Sequence, residues 1–211
     1  MPGISARQRG GATALARRPP QCHALAMDST LAALLDDTWR GLVRAAADRR
    51  HPWRTPVLAT VAADGAPNAR TVVLRAADPA TRTLRLHSDR RSAKAAELAR
   101  DPRVTLVFWD PRARVQLRLR GRAEVLHEGP EHARAWAATP AAARRDYATR
   151  LPPGTPIAAP EDVAHGDGAA HFAVIRVRVM TIDRLALAAE GHLRAGFAWE
   201  GDEPRATWLV P

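Results

Sequence analysis

The chain of 211 residues is poor in lysine, cysteine and aromatic residues. Lys94 is its single lysine among 32 basic residues, so arginine supplies almost every positive charge. One cysteine, Cys22, excludes a disulfide within the chain and favours a reducing, cytoplasmic location. No segment approaches the roughly 18 consecutive apolar residues of a membrane span, so we expect no membrane association.

The sequence also lacks the short motifs of several large enzyme classes. It contains neither G-x-G-x-x-G nor G-x-x-x-x-G-K-[ST], and it has no G-x-S-x-G. Its eight histidines occur without paired cysteines and without H-E-x-x-H, so no metal site is expected. If the protein is an enzyme, we expect a bound cofactor to carry the chemistry.

The formal net charge of +10 raises the question of nucleic acid binding. Arginines in the first 26 residues carry four of these charges, and that segment contains no acidic residue. The only tyrosine is Tyr147, and the tryptophans are scattered rather than interleaved with basic runs. We therefore expect no nucleic acid partner, and attribute the excess charge to a positive cleft for a phosphorylated small molecule.

Two regions differ in composition. Residues 1–26 contain Gly-Gly, Pro-Pro and arginines without apolar periodicity, which predicts a disordered extension ahead of a natural start at Met27. An Arg-rich segment without acids is also typical of a transit peptide. Residues 27–211 show no internal repeat and no second boundary, so we expect a single domain there.

The domain opens with a helix that Asp28 or Ser29 can cap. Its apolar residues recur at helical spacing: Leu31, Leu34, Leu35, Trp39, Leu42 and Val43. Short strand-like stretches follow, among them "PVLATVAA", the Asp64-Gly65 turn and "ARTVVLRAA". A short helix, "SAKAAELAR", further helical pieces around 131–138 and 141–149, a long strand "HFAVIRVRVMTIDRLAL" and a final hairpin complete the pattern. Five or six antiparallel strands with a few helices predict an α+β fold built on a small closed barrel.

Four pieces of the sequence are informative together: "RTVVLR", "LHSDRRSAKAAEL", "DPRVTLVFWDPRARVQLRLRGRAEVL" and "GHLRAGF". In this order and spacing they resemble the pyridoxamine 5'-phosphate oxidase-like family, the FMN-binding split barrels. The resemblance covers about residues 29–211. It implies an antiparallel split β-barrel with peripheral helices, a homodimer with FMN at the subunit interface, and oxidoreductase activity on a small-molecule substrate.

The resemblance also implies which residues hold the FMN phosphate. Arg70 from a strand, with Lys94 and the Ser92 hydroxyl from a helix start, match the positions that bind it in the family. These cations suit a dianion, and a helix N-terminus adds partial positive charge. The lone lysine of the chain thus falls on the family's phosphate lysine.

Further positions are implied for the flavin ring. The strand matching the family's ring contact comprises Arg70, Thr71, Val72, Val73, Leu74 and Arg75. Its backbone would meet the ring's polar atoms, and Arg75 would lie near the N1–C2 end. Gln116 could donate to and accept from the polar edge of the ring. For Gln116 the other interpretation is a polar residue on a solvent-facing strand.

Four more residues match family positions. His87 and Ser88 match an aromatic–hydroxyl pair beside the phosphate or ribityl chain, although His87 also suits a surface histidine at a strand end. Arg194 matches a late flavin-contacting arginine, often contributed by the second subunit. His192 matches a histidine that lies over the ring, and it is the first candidate for a catalytic residue. Arg194 and His192 are otherwise candidates for exposed loop positions.

The sequence departs from the family where the true oxidases hold their phosphorylated substrate. Trp136, Pro140 and Arg144 stand at the positions of a tyrosine, an arginine and a serine. Glu190 replaces a substrate-binding arginine, and Arg184 replaces a tryptophan. Ala93 replaces the arginine beside the phosphate lysine, a role that Arg90 or Arg91 could take over.

We therefore expect a related FMN-dependent oxidoreductase with a substrate other than pyridoxamine phosphate. Trp199 and Trp208 would pack in the last hairpin or cover the ligand pocket. Two alternatives remain at this point: the same barrel binding deazaflavin F420 or haem, and a non-catalytic cofactor-binding module.

Overall fold

The structure, a computed structural model, describes residues 29–211. The expected extension over residues 1–26, together with Cys22, Met27 and Asp28, lies outside the described residues. Within residues 29–211, no helix is both long enough and apolar enough to cross a membrane.

The first described element is helix α1, Ser29–Ala47. Leu31, Leu35, Trp39 and Leu42 are buried on one face, as the periodicity predicts. Val43 was expected on that face but is 41% exposed, because it follows Leu42 by one residue and turns about 100° away from it. A three-residue 3-10 turn, Pro52–Arg54, buries Trp53 and leads into the first strand.

Nine strands and three further helices follow. The strands are β1 Val57–Val61, β2 Pro67–Thr71, β3 Leu74–Asp78, β4 Thr83–Asp89, β5 Arg103–Asp110, β6 Val115–Leu126, β7 Phe172–Ala186, β8 Leu193–Trp199 and β9 Pro204–Leu209. The helices are α2 Ala93–Arg100, α3 Gly129–Ala138 and α4 Ala141–Arg144, the last continuing into the 3-10 turn Arg145–Tyr147. Another 3-10 turn spans Pro160–Asp162.

The expectation of five or six strands was too low for two reasons. The final hairpin adds β8 and β9, which pair with each other as predicted. In addition, "ARTVVLRAA" is not one strand. It breaks at Val72–Val73: the Val72 N–H makes a last bond toward β1, to the Pro56 carbonyl at 2.9 Å, and the chain then pairs with β4 from Leu74 onward.

All nine strands pair antiparallel. Seven follow in the order β2-β1-β5-β6-β7-β4-β3, and β8 pairs with both β7 and β9 off this path. The two outermost strands, β2 and β3, are consecutive in the chain, so the sheet curls and the chain crosses from one edge to the other at Val72–Val73. The long β7 pairs with β4 through its first half and with β8 through its second half, which splits the barrel. The molecule is an α+β antiparallel split barrel with peripheral helices.

The barrel interior is filled by alternate residues of each strand. In β6, Val115, Leu117 and Leu119 are buried while Gln116 and Arg118 face outward, as the alternation predicts. In β4, Leu84 and Leu86 point inward. Ser88 continues this inward row at the end of the strand, where apolar residues give way to polar ones. That end of β4 lies beside the start of α2.

Candidate functional site

A group of basic and hydroxyl side chains meets where β4 ends and α2 begins. We call Arg70, Ser88, Ser92 and Lys94 the basic cluster. Lys94 Nζ donates to Ser88 Oγ at 3.2 Å, and Ser88 Oγ lies 3.0 Å from Ser92 Oγ. Both serines are buried, at 3% and 4% exposure. Ser92 is the N-cap residue of α2, so the helix N-terminus opens onto the same group.

Arg70 reaches the basic cluster from the edge strand β2. Its Nη2 donates to Glu97 Oε2 at 2.9 Å, and its Nη1 donates to the Thr60 hydroxyl. Glu97 lies on α2, three residues after Lys94, so both side chains project from the same side of that helix. Arg70 and Lys94, which both match phosphate-binding positions of the family, are therefore both held against α2, and the charge of Arg70 acts on Lys94.

The proximity of the two cations has an electrostatic consequence. Burial lowers the pKa of Lys94, and the positive charge of Arg70 lowers it further. Asp89 and Glu97 act in the opposite direction but do not cancel these effects. Two partly buried cations that raise each other's energy are stabilised when an anion binds between them.

The arginine missing at Ala93 is not replaced by Arg91. The Arg91 guanidinium binds the buried Asp89 carboxylate through Nε at 3.1 Å and Nη2 at 2.7 Å. It also donates to the carbonyls of Thr149 and Arg150. Arg91 is thus committed to fixing the β4–α2 turn, and the side chain of Arg90 is exposed.

His87 and Arg75 lie on the opposite face of the sheet from Ser88. His87 packs edge-on against Phe172, with ring centroids 4.8 Å apart. Burial, followed by the charges of Arg75 and Arg85, lowers the His87 pKa to about 4. Within residues 29–211, neither His87 Nδ1 nor Arg75 Nε has a hydrogen-bond partner, although both atoms are buried. Unsatisfied buried polar atoms are uncommon and are frequently found at ligand sites.

A third group runs across the outer face of the sheet. Strand register places Trp109, Gln116, Leu185, Arg194 and Leu209 side by side, and we call these residues the outer row. Arg194 binds Asp183 through Nε at 3.0 Å and Nη2 at 2.8 Å, and Arg118 binds the same carboxylate. Hydrogen bonds from Arg194 lower the Asp183 pKa, against the effect of burial.

The outer row and the basic cluster occupy different parts of the barrel. Gln116 points away from the barrel interior, whereas Arg70 and Lys94 gather at the α2 end. Within residues 29–211, the hydrogen bonds of Arg194 go to Asp183 rather than to the basic cluster.

The turn between β7 and β8 carries His192 and Glu190. Both are exposed, and Gly191 between them adopts a φ of +132°. The His192 ring accepts a hydrogen bond through Nδ1 from the Ala188 backbone at 3.3 Å. This bond holds the ring at the tip of the hairpin through Nδ1 and does not involve Nε2.

The residues around the β2–β3 break differ in side-chain exposure and in backbone hydrogen bonding. Thr71 is exposed on the outer side of β2, whereas the Leu74 side chain is fully buried in the core. The N–H of Val72 is already used by Pro56. Val73 is partly exposed at the crossing point between the two edges of the barrel.

The positions that hold substrate phosphate in the true oxidases have other roles here. Arg144 donates to the carbonyls of Trp136, Ala137 and Thr139 at the end of α3, and stacks over the Trp136 ring at 4.8 Å. Pro140 is exposed between α3 and α4. Arg184 faces α1, where burial lowers its pKa against the opposing charge of Asp37.

The two tryptophans of the last hairpin are placed differently. Trp199 packs against the core and carries the Arg82 guanidinium 5.5 Å above its ring, whereas Trp208 is 42% exposed on β9.

Sequence reasoning missed the carboxylates that hold the arginines in place. Glu97 sits within the quoted "SAKAAEL" at helical spacing from Lys94, which is a usable signal. Asp183 has no comparable signal, because its bonds to Arg118, 65 residues earlier on β6, and to Arg194, 11 residues later on β8, depend on the register between strands. In the described part of the chain, no group of three or more His, Cys, Asp or Glu side chains is arranged to hold a metal ion.

Comparison with known sequences identifies relatives of this chain. Residues 44–185 match the model of the pyridoxamine 5'-phosphate oxidase family. A pyridoxine/pyridoxamine 5'-phosphate oxidase of Thermobifida fusca is 35% identical over 156 residues, which cover 58% of this chain and 70% of the relative. The corresponding protein of Anaeromyxobacter dehalogenans is 40% identical over 80 residues, which cover 38% of this chain and 39% of the relative.

Solved structures share the fold. A pyridoxamine 5'-phosphate oxidase-related, FMN-binding protein from Nostoc punctiforme has a TM-score of 0.66 at 25% identity, covering 89% of this chain and 99% of its own. PhzG from Burkholderia lata, in complex with tetrahydrophenazine-1-carboxylic acid, has a TM-score of 0.69 at 16% identity, covering 89% and 98%. The split barrel, the matched family model and these relatives agree: the chain belongs to the pyridoxamine 5'-phosphate oxidase family.

Proposed function

We propose that the protein is an FMN-dependent oxidoreductase that acts on a small organic substrate as a homodimer. The observation that carries the proposal is the basic cluster: Lys94 bonds the buried Ser88 hydroxyl beside Ser92 at the start of α2, and Arg70, bound to Glu97 of the same helix, is close enough for its charge to act on Lys94. A dianionic phosphate suits this arrangement because it can accept charge-assisted hydrogen bonds from both cations.

The donors in the basic cluster fit a phosphate group. Lys94 has three N–H donors, of which one goes to Ser88. Arg70 has five, and those to Thr60 and Glu97 leave three for a ligand. The lowered pKa of Lys94 supports the same assignment, since a bound anion would offset both the repulsion from Arg70 and the loss of hydration.

The remaining candidate residues would bind and orient the ring. When bound, FMN supplies the hydride-transfer chemistry between its ring and the substrate. Arg75 would place a positive charge beside the N1–C2 end, and its buried Nε has no partner in the described part of the chain. His87 stays neutral at physiological pH because burial and two arginines lower its pKa to about 4. Backbone groups at 71–74 would complete the edge of the ring site.

A homodimer would unite the two separated groups. Gln116 and Arg194 lie on the outer row, away from the basic cluster of their own protomer. If the outer row of one protomer covers the FMN site of its partner, Gln116 meets the polar edge of the ring and Arg194 lies beside the cofactor. His192, at the tip of the adjoining hairpin, would then be the first side chain to contact the substrate.

The substrate would not be a phosphate ester. Pro140 has no anion-binding group, and the Arg144 guanidinium is used by three backbone carbonyls. Glu190 would repel a phosphate from the β7–β8 turn. A neutral or cationic organic molecule fits these positions better.

The first test is the absorbance spectrum of the purified protein. FMN gives bands near ~450 nm, and the apoprotein should bind FMN at least about 100-fold more tightly than riboflavin, because charge-assisted bonds to the phosphate are among the strongest. A sharp Soret band would instead identify haem, and a preference for deazaflavin F420 would reassign the cofactor. Bound FMN that no nicotinamide or organic donor reduces would indicate a non-catalytic module.

Arg70→Ala and Lys94→Ala test the assigned contacts. Each substitution should weaken FMN binding by about 10- to 100-fold while leaving riboflavin binding nearly unchanged, since only FMN has the phosphate. Lys94→Arg keeps the charge and should weaken binding less than alanine does. Arg49→Ala, an exposed arginine after α1, is the matched control and should behave as the wild type.

A further inference from the structure

We propose that Glu97 is a positioning residue that fixes the Arg70 guanidinium for the cofactor phosphate, an inference that rests on the proposed function. Glu97 would not contact the ligand itself. It would act by holding the Arg70 guanidinium in a fixed orientation, with the three donors not used by Thr60 and Glu97 left for the phosphate.

Glu97 is the centre of a buried hydrogen-bond network. Its side chain belongs to α2 and is 8% exposed. Oε2 accepts from Thr60 Oγ1 at 2.5 Å and from Arg70 Nη2 at 2.9 Å, and Oε1 accepts from Asn68 Nδ2 at 2.7 Å. The three donors come from β1 and β2, where Thr60 and Asn68 are opposite each other in the hairpin register.

The Thr60 hydroxyl makes this network directional. It donates to Glu97 and accepts from Arg70 Nη1, while Glu97 accepts from Arg70 Nη2, so two different nitrogens of Arg70 are held at once. A guanidinium is planar, and two fixed nitrogens define the plane of all five of its donors. The orientation of the free donors is therefore set before any ligand arrives, which lowers the entropy cost of binding.

The carboxylate also keeps the pair charged. Burial by itself would raise the Glu97 pKa, but hydrogen bonds from Thr60, Asn68 and Arg70 outweigh it and lower the pKa. Glu97 is thus ionised whenever Arg70 is in place, and its charge partly offsets that of the two cations. A role in charge balance alone would predict tighter FMN binding once the carboxylate is removed, which is the opposite of positioning.

A purely structural role is the main competing explanation. The same bonds join α2 to the β1–β2 hairpin, so Glu97 could serve only to attach the helix. Loss of that attachment would reduce FMN and riboflavin binding together, because both need a folded site. Loss of positioning would reduce FMN binding alone, because riboflavin lacks the phosphate.

The experiment compares Glu97→Ala with Glu97→Gln, using FMN and riboflavin as probes. Alanine removes the acceptor for Arg70 and should weaken FMN binding by about 10-fold, with riboflavin changed less than about 2-fold, as for other residues that orient a ligand-binding group. Glutamine keeps an acceptor, and Asn68 can turn its amide to match, so FMN binding should stay within about 3-fold of wild type. Glu203→Ala, an exposed carboxylate in the last hairpin, is the control.

A second variant covers the case in which Glu97→Ala does not fold. Thr60→Val preserves shape but removes the hydroxyl that joins Arg70 to Glu97, and it should also weaken FMN binding selectively. Equal losses for FMN and riboflavin in the folded variants, or tighter FMN binding in Glu97→Ala, would overturn the inference.

Inorganic phosphate separates this inference from the proposed function. If the wild type binds no flavin but phosphate raises its melting temperature, and Glu97→Ala abolishes that rise, then the FMN assignment fails while the role of Glu97 stands. If the wild type binds FMN and the variants bind it equally well, only the role of Glu97 fails. A wild type that responds to neither FMN nor phosphate would overturn both.

Discussion

The side chains around His87 determine its charge state. Its ring is packed on Phe172, and the charges facing it are those of Arg75 and Arg85. An imidazolium there would be desolvated and repelled by both arginines. The neutral ring is therefore the form that the folded protein accommodates.

This environment predicts how stability depends on pH. The unfolded chain binds a proton at His87 near pH 6.5, whereas the folded protein does so only near pH 4, so stability should fall as the pH drops from about 6.5 to 4. His87→Phe removes the titration and should reduce this loss, measured as the melting temperature at pH 7 and pH 4.5. His165→Gln, an exposed histidine, should retain the wild-type dependence. Identical pH profiles for all three proteins would contradict the assignment.

Gly121 is constrained by backbone rather than by charge. It lies on β6 where β7 carries one extra residue, and a Cβ added to it would stand 2.2 Å from the Arg178 carbonyl oxygen. Neither backbone can move without disturbing the ladder at this bulge.

Gly121→Ala should accordingly lower the free energy of unfolding by about 2–3 kcal/mol, as overpacking in a core does. Gly201→Ala is the matched control, because nothing lies within 4 Å of a Cβ at that position. Denaturant titration of both variants measures the difference. Equal midpoints would mean that the bulge relaxes around the added methyl group.

In helix α1, two adjacent apolar residues differ completely in burial. Leu42 is fully buried, while its neighbour Val43 is 41% exposed. The two residues are adjacent and both apolar, so the sequence alone placed them on the same face. Packing against the sheet distinguishes them.

Leu42→Ala should lower the free energy of unfolding by about 2–5 kcal/mol, because it leaves a cavity in the core. Val43→Ala, the neighbouring control, should change it by less than about 0.5 kcal/mol, as surface substitutions usually do. Thermal or denaturant unfolding of the two variants provides the measurement. A large effect at Val43 would mean that this helix face is covered in solution.

Several secondary-structure elements could be predicted from the sequence, and others could not. Alternation in β6, the Asp64-Gly65 turn, the long β7 and the final hairpin were all predicted, because each depends on local periodicity or turn chemistry. The break at Val72–Val73 was not, since a continuous apolar run gives no sign of where the chain crosses between sheet edges. The Glu97 network was missed for a similar reason: it depends on the register between Thr60 and Asn68, which only the folded hairpin sets.

The outer row is the surface through which the whole molecule would form the proposed dimer. Trp109 and Leu209 at its ends are 44% and 38% exposed, with Gln116 and Arg194 between them. Large exposed apolar side chains such as these are enriched on surfaces that another protein covers. This pattern agrees with the proposed dimer, in which each outer row completes the cofactor site of the partner.

Charged substitutions in the outer row should therefore affect assembly and cofactor binding together. We expect the wild type to sediment as a dimer, and Trp109→Asp to shift it toward monomer with a parallel loss of bound FMN, because burying an unpaired carboxylate is costly. Val163→Asp, which is also an exposed apolar position but lies outside the barrel, should remain a dimer. A monomeric protein that retains FMN would show that one chain suffices.

The position of β7 in the chain has a consequence for biosynthesis. This strand joins β6 to β4, yet it begins only at Phe172, after both of those partners have left the ribosome. Until then β4 and β6 each have an unpaired edge that could pair with another nascent chain. A chain interrupted before residue 172 would be unable to close its barrel, so messages truncated in that region should yield aggregates rather than shortened functional proteins.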